Sequence, residues 1–232
     1  MLVATVSTKP LDPHGMFMKS CRRYGLSPKV LGVGRPGEDH IPHHKRRFLY
    51  KLNILRDYLS VLDASVIVMF TDSWDVFFAG SIHNTDAIYR RIGAEVLFAA
   101  ERNLWPPGRY DGYPESPTPY RYLNGGGFIG PAGTLLDMLA GCENESVMDQ
   151  HYWHRVFMRD ERIQLDVNCE IFQPLCGHPA YPYDTIPPEL ECRAGRWCNT
   201  LTGSMPIQIH GNGHYDNALK AMWEKMWEKT RQ

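Results

Sequence analysis

No stretch of this chain approaches the roughly 20 apolar residues needed to span a bilayer, so no integral membrane segment is expected. Excess charge of either sign is lacking too. The 25 basic and 26 acidic side chains leave a formal net charge of −1, which removes any global argument for nucleic acid or an anionic membrane surface. One dense basic cluster, His43-His44-Lys45-Arg46-Arg47, reads equally as a solvated helix start or a phosphate-facing patch. The six cysteines (Cys21, Cys142, Cys169, Cys176, Cys192 and Cys198) include no Cys-x-x-Cys pair, which speaks against zinc. Cys192 and Cys198 are close enough for a small disulfide loop, and buried free thiols fit as well. Residues 1–6 lack a charged n-region and a long apolar h-region, so they read as a first core strand rather than a signal peptide. The compartment stays open: a secretory lumen would go with a targeting segment removed ahead of this strand, the cytoplasm with none. Internal repeats, low-complexity tracts and linkers are also missing, so residues 1–232 read as one domain.

What is present is a globular composition, 43% hydrophobic and 22% charged, in which strand-length apolar runs alternate with segments of helical period. That pattern predicts an α/β domain with a largely parallel sheet. Strands are expected at residues 2–6, 29–33, 66–70, 96–99, 127–129 and 207–209. Helices are expected at 15–24, 147–158 and 217–227. Phe48, Leu52, Leu55, Leu59 and Leu62 recur at helical spacing and predict an amphipathic helix over 45–62. Residues 105–119 hold five prolines and several aromatics, which suggests an ordered loop over a site.

Asp72-Ser73-Trp74-Asp75 follows the most apolar strand directly. Ligands gather at the carboxyl ends of strands in open α/β sheets, and paired carboxylates suit a hard divalent cation that bridges phosphates. A helix-capping turn explains the same residues. Leu123-Asn124-Gly125-Gly126-Gly127-Phe128 permits close ligand approach at its glycines, or is a plain glycine-rich turn; it is neither a Walker A loop nor a dinucleotide fingerprint. His210-Gly211-Asn212-Gly213-His214 places a histidine at a strand end with small residues after it, as a metal ligand beside phosphates would need. Asp149, with Gln150 after it, is open between orienting an acceptor hydroxyl, acting as a base, and sitting favourably at a helix N-terminus.

These pieces, in this order, resemble the amino-terminal glycosyltransferase domain of the multifunctional procollagen lysyl hydroxylases, which is related to the procollagen galactosyltransferases. The matching segments are Phe70-Thr71-Asp72-Ser73-Trp74-Asp75-Val76, Phe98-Ala99-Ala100-Glu101 with Trp105-Pro106, and Arg121-Tyr122-Leu123-Asn124 running into Gly126-Gly127-Phe128-Ile129-Gly130. Asp149-Gln150, Ile171-Phe172-Gln173 and His210-Gly211-Asn212-Gly213 complete the series. The resemblance implies a GT-A type, Rossmann-like α/β domain with a mainly parallel central sheet, using Mn²⁺ and a UDP-sugar donor, UDP-glucose or UDP-galactose. It implies Asp72, Asp75 and His210 as metal ligands, Trp74 against the uracil, and Lys51 near the diphosphate. Gly211, Asn212 and Gly213 fall near the phosphates. Asn124, Asp149 and Trp105 fall at the sugar and acceptor side.

The expected activity is therefore hexose transfer to a hydroxyl acceptor on a protein or glycan, with hydroxylysine or galactosyl-hydroxylysine of a collagen-like chain as the family's acceptor. Alternatives are a catalytically inactive UDP-binding module and a metal-dependent phosphohydrolase. Three departures from the family pattern bear on sugar and acceptor: a shortened acidic run at Ser146-Val147-Met148-Asp149, Leu104 in place of a cysteine, and Gly125 in place of a serine. A fourth is the absence of a second uracil-packing tryptophan near residues 32–35.

Overall fold

The computed structural model describes residues 1–34, 47–108, 110, 112–142, 148–176 and 185–228. In chain order its first half contains β1 (Leu2–Val6), α1 (Met16–Arg23), β2 (Lys29–Leu31), α2 (Arg47–Leu59), β3 (Ile67–Thr71), β4 (Val76–Phe78), α3 (His83–Ile92) and β5 (Val96–Glu101). Then follow β6 (Tyr122–Pro131), α4 (Ala132–Met138), α5 (Asp149–Phe157), β7 (Ile163–Asp166) and β8 (Phe172–Pro174). The chain closes with β9 (Leu190–Arg193), β10 (Arg196–Asn199), β11 (Gln208–His210) and α6 (Asp216–Glu228).

The central sheet has the order β2-β1-β3-β6-β5-β7. All its strands run one way except β6, which is antiparallel to both neighbours. This is the mainly parallel α/β sheet the alternating pattern predicts. Both faces are covered, which is why the strands read as continuous apolar runs. Along β3, Val68 and Phe70 join one core with Phe98, Phe128, Trp153 and Leu52, Leu55 and Leu59 of α2. Met69 turns to the other core with Phe17, Leu97, Ile129 and Phe172. Each such aromatic or leucine contributes about 1.5–3 kcal/mol by leaving water.

A smaller sheet, β4-β11-β8, extends the first, with β11 antiparallel to β4 and parallel to β8. Phe77 and Ile209 from it pack with Leu219, Met222 and Met226 of α6. Because β1, β3 and β5 run parallel, their carboxyl ends share one edge, and antiparallel β6 begins there. The pairing of His210 with Val76 brings the end of β11 to the same place. That edge is the site.

Two element boundaries differ from expectation, and one open alternative is decided. The strand expected at 127–129 begins five residues earlier, so that Gly125 and Gly126 also lie inside β6, and the β5–β6 ladder slips there: Phe98 pairs with Phe128 but Ala99 pairs with Asn124. Cys192 and Cys198 are free thiols, because the β9–β10 register sets Cys192 opposite Trp197 and Cys198 opposite Glu191. Helix α5 begins at Asp149, with Met148 already outside it; residues 45, 46 and 147 of the helix expectations, and the basic cluster up to Arg46, lie outside the described residues. No helix among the described residues is long and apolar enough to cross a membrane.

Candidate functional site

A cleft of about 850 Å³ opens at the shared strand edge, a volume in the range of small-molecule sites. Asp72 enters it from the end of β3, where its N–H donates 2.9 Å to the Gly126 carbonyl. Asp75 stands just before β4, its carbonyl accepting the Gly211 N–H at 2.8 Å. His210 ends β11 with its Nε2 3.2 Å from Asp75 Oδ2 and 3.9 Å from Asp72 Oδ2. One ligand atom from each of the three falls within 4.8 Å of the others. Two carboxylate oxygens and an imidazole nitrogen at that spacing suit a hard-to-borderline divalent cation such as Mn²⁺.

The local backbone is built for this group. A Cβ on Gly126 would stand 2.2 Å from His210 Cε1 and 2.9 Å from Asp72 Oδ2. The glycine thus makes room for the His210 and Asp72 side chains themselves, where close approach of a bound molecule was expected of it. Burial alone would lower the His210 pKa, but the charge and hydrogen bond of Asp75, with Asp72 beyond, raise it above the usual histidine range. Burial works against the Asp75 carboxylate, yet His210 holds it below the ordinary value. The orphaned hydroxyl of Ser73, buried between the aspartates without a protein partner, also fits a site made for a bound group.

Lys51, from α2, bridges Asp72 and Asp149. Its Nζ lies 2.8 Å from Asp72 Oδ1 and 2.8 Å from Asp149 Oδ2. Desolvation pulls this lysine down, but Asp149 and then Asp72 outweigh it and keep the ammonium charged above its ordinary pKa. Asp149 is the first residue of α5, and its Oδ1 accepts the Gln150 N–H at 2.9 Å. It therefore sits at a helix N-terminus, one of the places expected for it, and also lines the cleft.

Trp74 and Trp105 line the same cleft and are 62% and 56% exposed, unusual for the largest apolar residue. Asn124 also lines it, but its Oδ1 is engaged by the Gly126 N–H at 3.0 Å. Asn212 is more occupied still: its Oδ1 accepts the Leu175 and Cys176 N–H groups at 3.1 Å, and its Nδ2 donates 2.8 Å to Glu101. It is a buttress between β5 and β8 as well as a wall of the cleft. Gly213 lines the cleft with φ +67°. Gly211 is not among the lining residues, and its Cα faces Leu219 of α6; its place is explained by helix packing.

Two residues at the centre stood in the matching segments without a role assigned to them. Glu101, only 2% exposed at the end of β5, receives Asn212 at 2.8 Å and Gln150 at 3.4 Å. Burial pushes its carboxyl up to about 8, against the Asn124 hydrogen bond, the His210 charge and Asn212. Gln150 accepts the Gly125 N–H at 2.7 Å, satisfying a donor that the slipped ladder leaves free. Both are polar groups at element ends, and only a three-dimensional neighbour reveals them.

A family profile described as "PLOD GT domain" matches residues 1–231. Human procollagen-lysine,2-oxoglutarate 5-dioxygenase 2 is 33% identical over 227 residues, which is 92% of this chain and 30% of that protein. The Drosophila melanogaster procollagen-lysine,2-oxoglutarate 5-dioxygenase is 30% identical over 223 residues, 91% of this chain and 30% of its own length. The chain thus spans about 30% of the length of these relatives. Among solved structures, galactosyltransferase LgtC, in complex with donor and acceptor sugar analogues, superposes with a TM-score of 0.57 at 13% identity, covering 100% of this chain and 95% of that one. A glycosyltransferase involved in glycosylation of the major capsid of PBCV-1 gives 0.50 at 13% identity, covering 98% and 100%. These likenesses show the GT-A type fold.

Proposed function

The chain belongs to the PLOD GT domain family of glycosyltransferases, and from that premise we propose that it moves glucose or galactose from a UDP-sugar to a hydroxyl acceptor with Mn²⁺. The relatives are named for acting on procollagen lysine, so hydroxylysine or galactosyl-hydroxylysine of a collagen-like chain is the acceptor class we put first. The observation that carries the reading is the convergence of Asp72, Asp75 and His210, from three separate strand ends, to within 4.8 Å in one cleft.

A divalent cation held by these three residues supplies a Lewis acid for the charge that collects on the departing diphosphate. Lys51 adds a fixed, charged partner beside it, which needs no reorganisation as that charge develops. Trp74 offers a flat face to the uracil and Trp105 one to the apolar side of a sugar ring. Gly213 lets the backbone come close to phosphate. Asp149 serves the acceptor hydroxyl, with Asn124 and Gln150 holding the Gly125–Gly126 floor beneath the transferred sugar.

A UDP-binding module without turnover is the second reading. It draws on the ion pair that already engages Asp149 with Lys51. Calorimetry tests the nucleotide half of both readings: UDP should bind with Mn²⁺ and bind far more weakly without it, and GDP should bind poorly. A folded protein that takes up no UDP with Mn²⁺ would remove the proposal.

A further inference from the structure

Trp105 is exposed at its indole but pinned at its main chain, and the group that pins it is a buried histidine of α5. His154 is fully buried, and its Nε2 lies 2.9 Å from the Trp105 carbonyl oxygen. Its Nδ1 lies 3.3 Å from Tyr113 Oη, and that phenol oxygen accepts the Leu123 N–H at 2.6 Å. A carbonyl can only accept, so Nε2 carries the hydrogen of the neutral imidazole and Nδ1 is left an acceptor; Tyr113, whose oxygen takes the Leu123 N–H, turns its own hydrogen to Nδ1.

The row therefore runs from Leu123 in β6 through Tyr113 and a neutral His154 to Trp105. Burial, with His151 nearby, holds His154 below the usual histidine range despite the Trp105 hydrogen bond. Gln150 Nε2, 3.3 Å from the same ring nitrogen, turns its hydrogens to Leu123 O at 2.5 Å and Glu101 at 3.4 Å. Tyr110 packs on the His154 ring at 4.8 Å between centroids and hydrogen-bonds His151, closing the other side. An apolar side chain of similar volume would fill this space without the desolvation of an imidazole. Packing does not account for the ring; the carbonyl it holds does.

We propose that His154 is a positioning residue for the acceptor side: by holding the main chain of Trp105, it sets the indole against which the acceptor lies, without touching substrate. This rests on the glycosyl-transfer reading above. The row joins the platform to Leu123, one residue before Asn124, so the acceptor wall and the sugar floor share one hydrogen-bonded frame.

The two ring nitrogens can be separated by substitution, since a glutamine amide reaches the place of Nε2 and an asparagine amide that of Nδ1. Protein labelled with fluorotryptophan gives one ¹⁹F signal per tryptophan, and Trp105→Phe assigns the relevant one. We expect His154→Leu and His154→Asn to shift or broaden that signal and raise acceptor KM about tenfold, the equivalent of about 1.4 kcal/mol, with UDP affinity in Mn²⁺ unchanged. His154→Gln should keep both the signal and the KM. The proposal is overturned if the Trp105 signal in His154→Asn is that of the wild type, or if His154→Gln is as impaired as His154→Asn. Should His154→Leu fail to fold, the Asn and Gln pair still decides. Absence of transfer by the wild type would count against the proposed function, while the ¹⁹F comparison would still judge His154.

Discussion

If Asp72, Asp75 and His210 hold the metal as proposed, substituting Gly126 by alanine should remove metal binding while leaving all three side chains in the chain. The added Cβ would stand 2.2 Å from His210 Cε1, 2.6 Å from His210 Nδ1 and 2.9 Å from Asp72 Oδ2. Ordinary carbon contacts lie at about 3.5–4.0 Å, so the imidazole must retreat by about 1 Å or more. Ligand distances at a metal site tolerate only about 0.2 Å, and disturbing ligand support typically costs about 10–100-fold in affinity. Taking a loss of about a hundredfold, Mn²⁺ at a concentration that stabilises the wild type by about 2.7 kcal/mol should stabilise Gly126→Ala by only about 0.4 kcal/mol. Each kcal/mol is worth about 2–4 °C in Tm for a chain of this size. Thermal melts with and without Mn²⁺ therefore read the effect directly, with UDP calorimetry beside them. Gly125→Ala is the control, because its Cβ would meet Trp153 and Gln150 at 2.9 and 3.0 Å instead; it should keep the Mn²⁺ response. Full manganese stabilisation of Gly126→Ala would refute the assignment of His210 and Asp72 to the metal.

Other residues give sharper separations. Asp75→Ala should abolish metal-dependent UDP binding and leave the metal-free Tm almost unmoved; a large metal-free loss would make Asp75 a structural residue instead. Asp149→Asn should spare UDP binding and reduce transfer, and an unchanged transfer rate would take Asp149 out of the mechanism. Glu101 sets a pH dependence of stability. Its folded carboxyl holds a proton up to about 8 against an ordinary 4.5, so the stability it contributes is complete below the lower value and lost as pH rises through the higher. The slope is at most about 1.4 kcal/mol per pH unit. Urea unfolding between those values should show the decline in the wild type and a flatter course in Glu101→Gln; equal slopes would contradict it.

Much of this was legible because the strongest signals were local. Residues 2–6 are β1 to the residue, and the apolar run at 66–70 leads into β3 with a shift of one position. The tetrad Asp72-Ser73-Trp74-Asp75 follows a strand end, as the pattern predicted. What escaped was whatever depends on a distant partner. Gly125 and Gly126 were left out of the expected strand because glycine is depleted in strands, yet β6 carries them because Trp153 and His210 press against it. The β9–β10 hairpin was hidden by charged residues and two cysteines that suggested a disulfide loop. β4, at three residues, is too short for periodicity to find. Glu101 stood at the end of a matching segment with nothing to mark its burial, and His154 is a polar residue in a helix with no motif of its own. Gly211 was read with the phosphate-side glycines because sequence adjacency to His210 cannot distinguish a cleft wall from the back of a helix contact.

The central claim, metal-dependent transfer from a UDP-sugar, is tested most directly by the UDP released from UDP-glucose and UDP-galactose, with and without Mn²⁺, in the presence of a hydroxylysine-bearing or galactosyl-hydroxylysine peptide. The account predicts that UDP appears with one of these donors, only when Mn²⁺ is present, and that Asp75→Ala abolishes it. Release that ignores the metal, or none from either donor by folded protein, would contradict it.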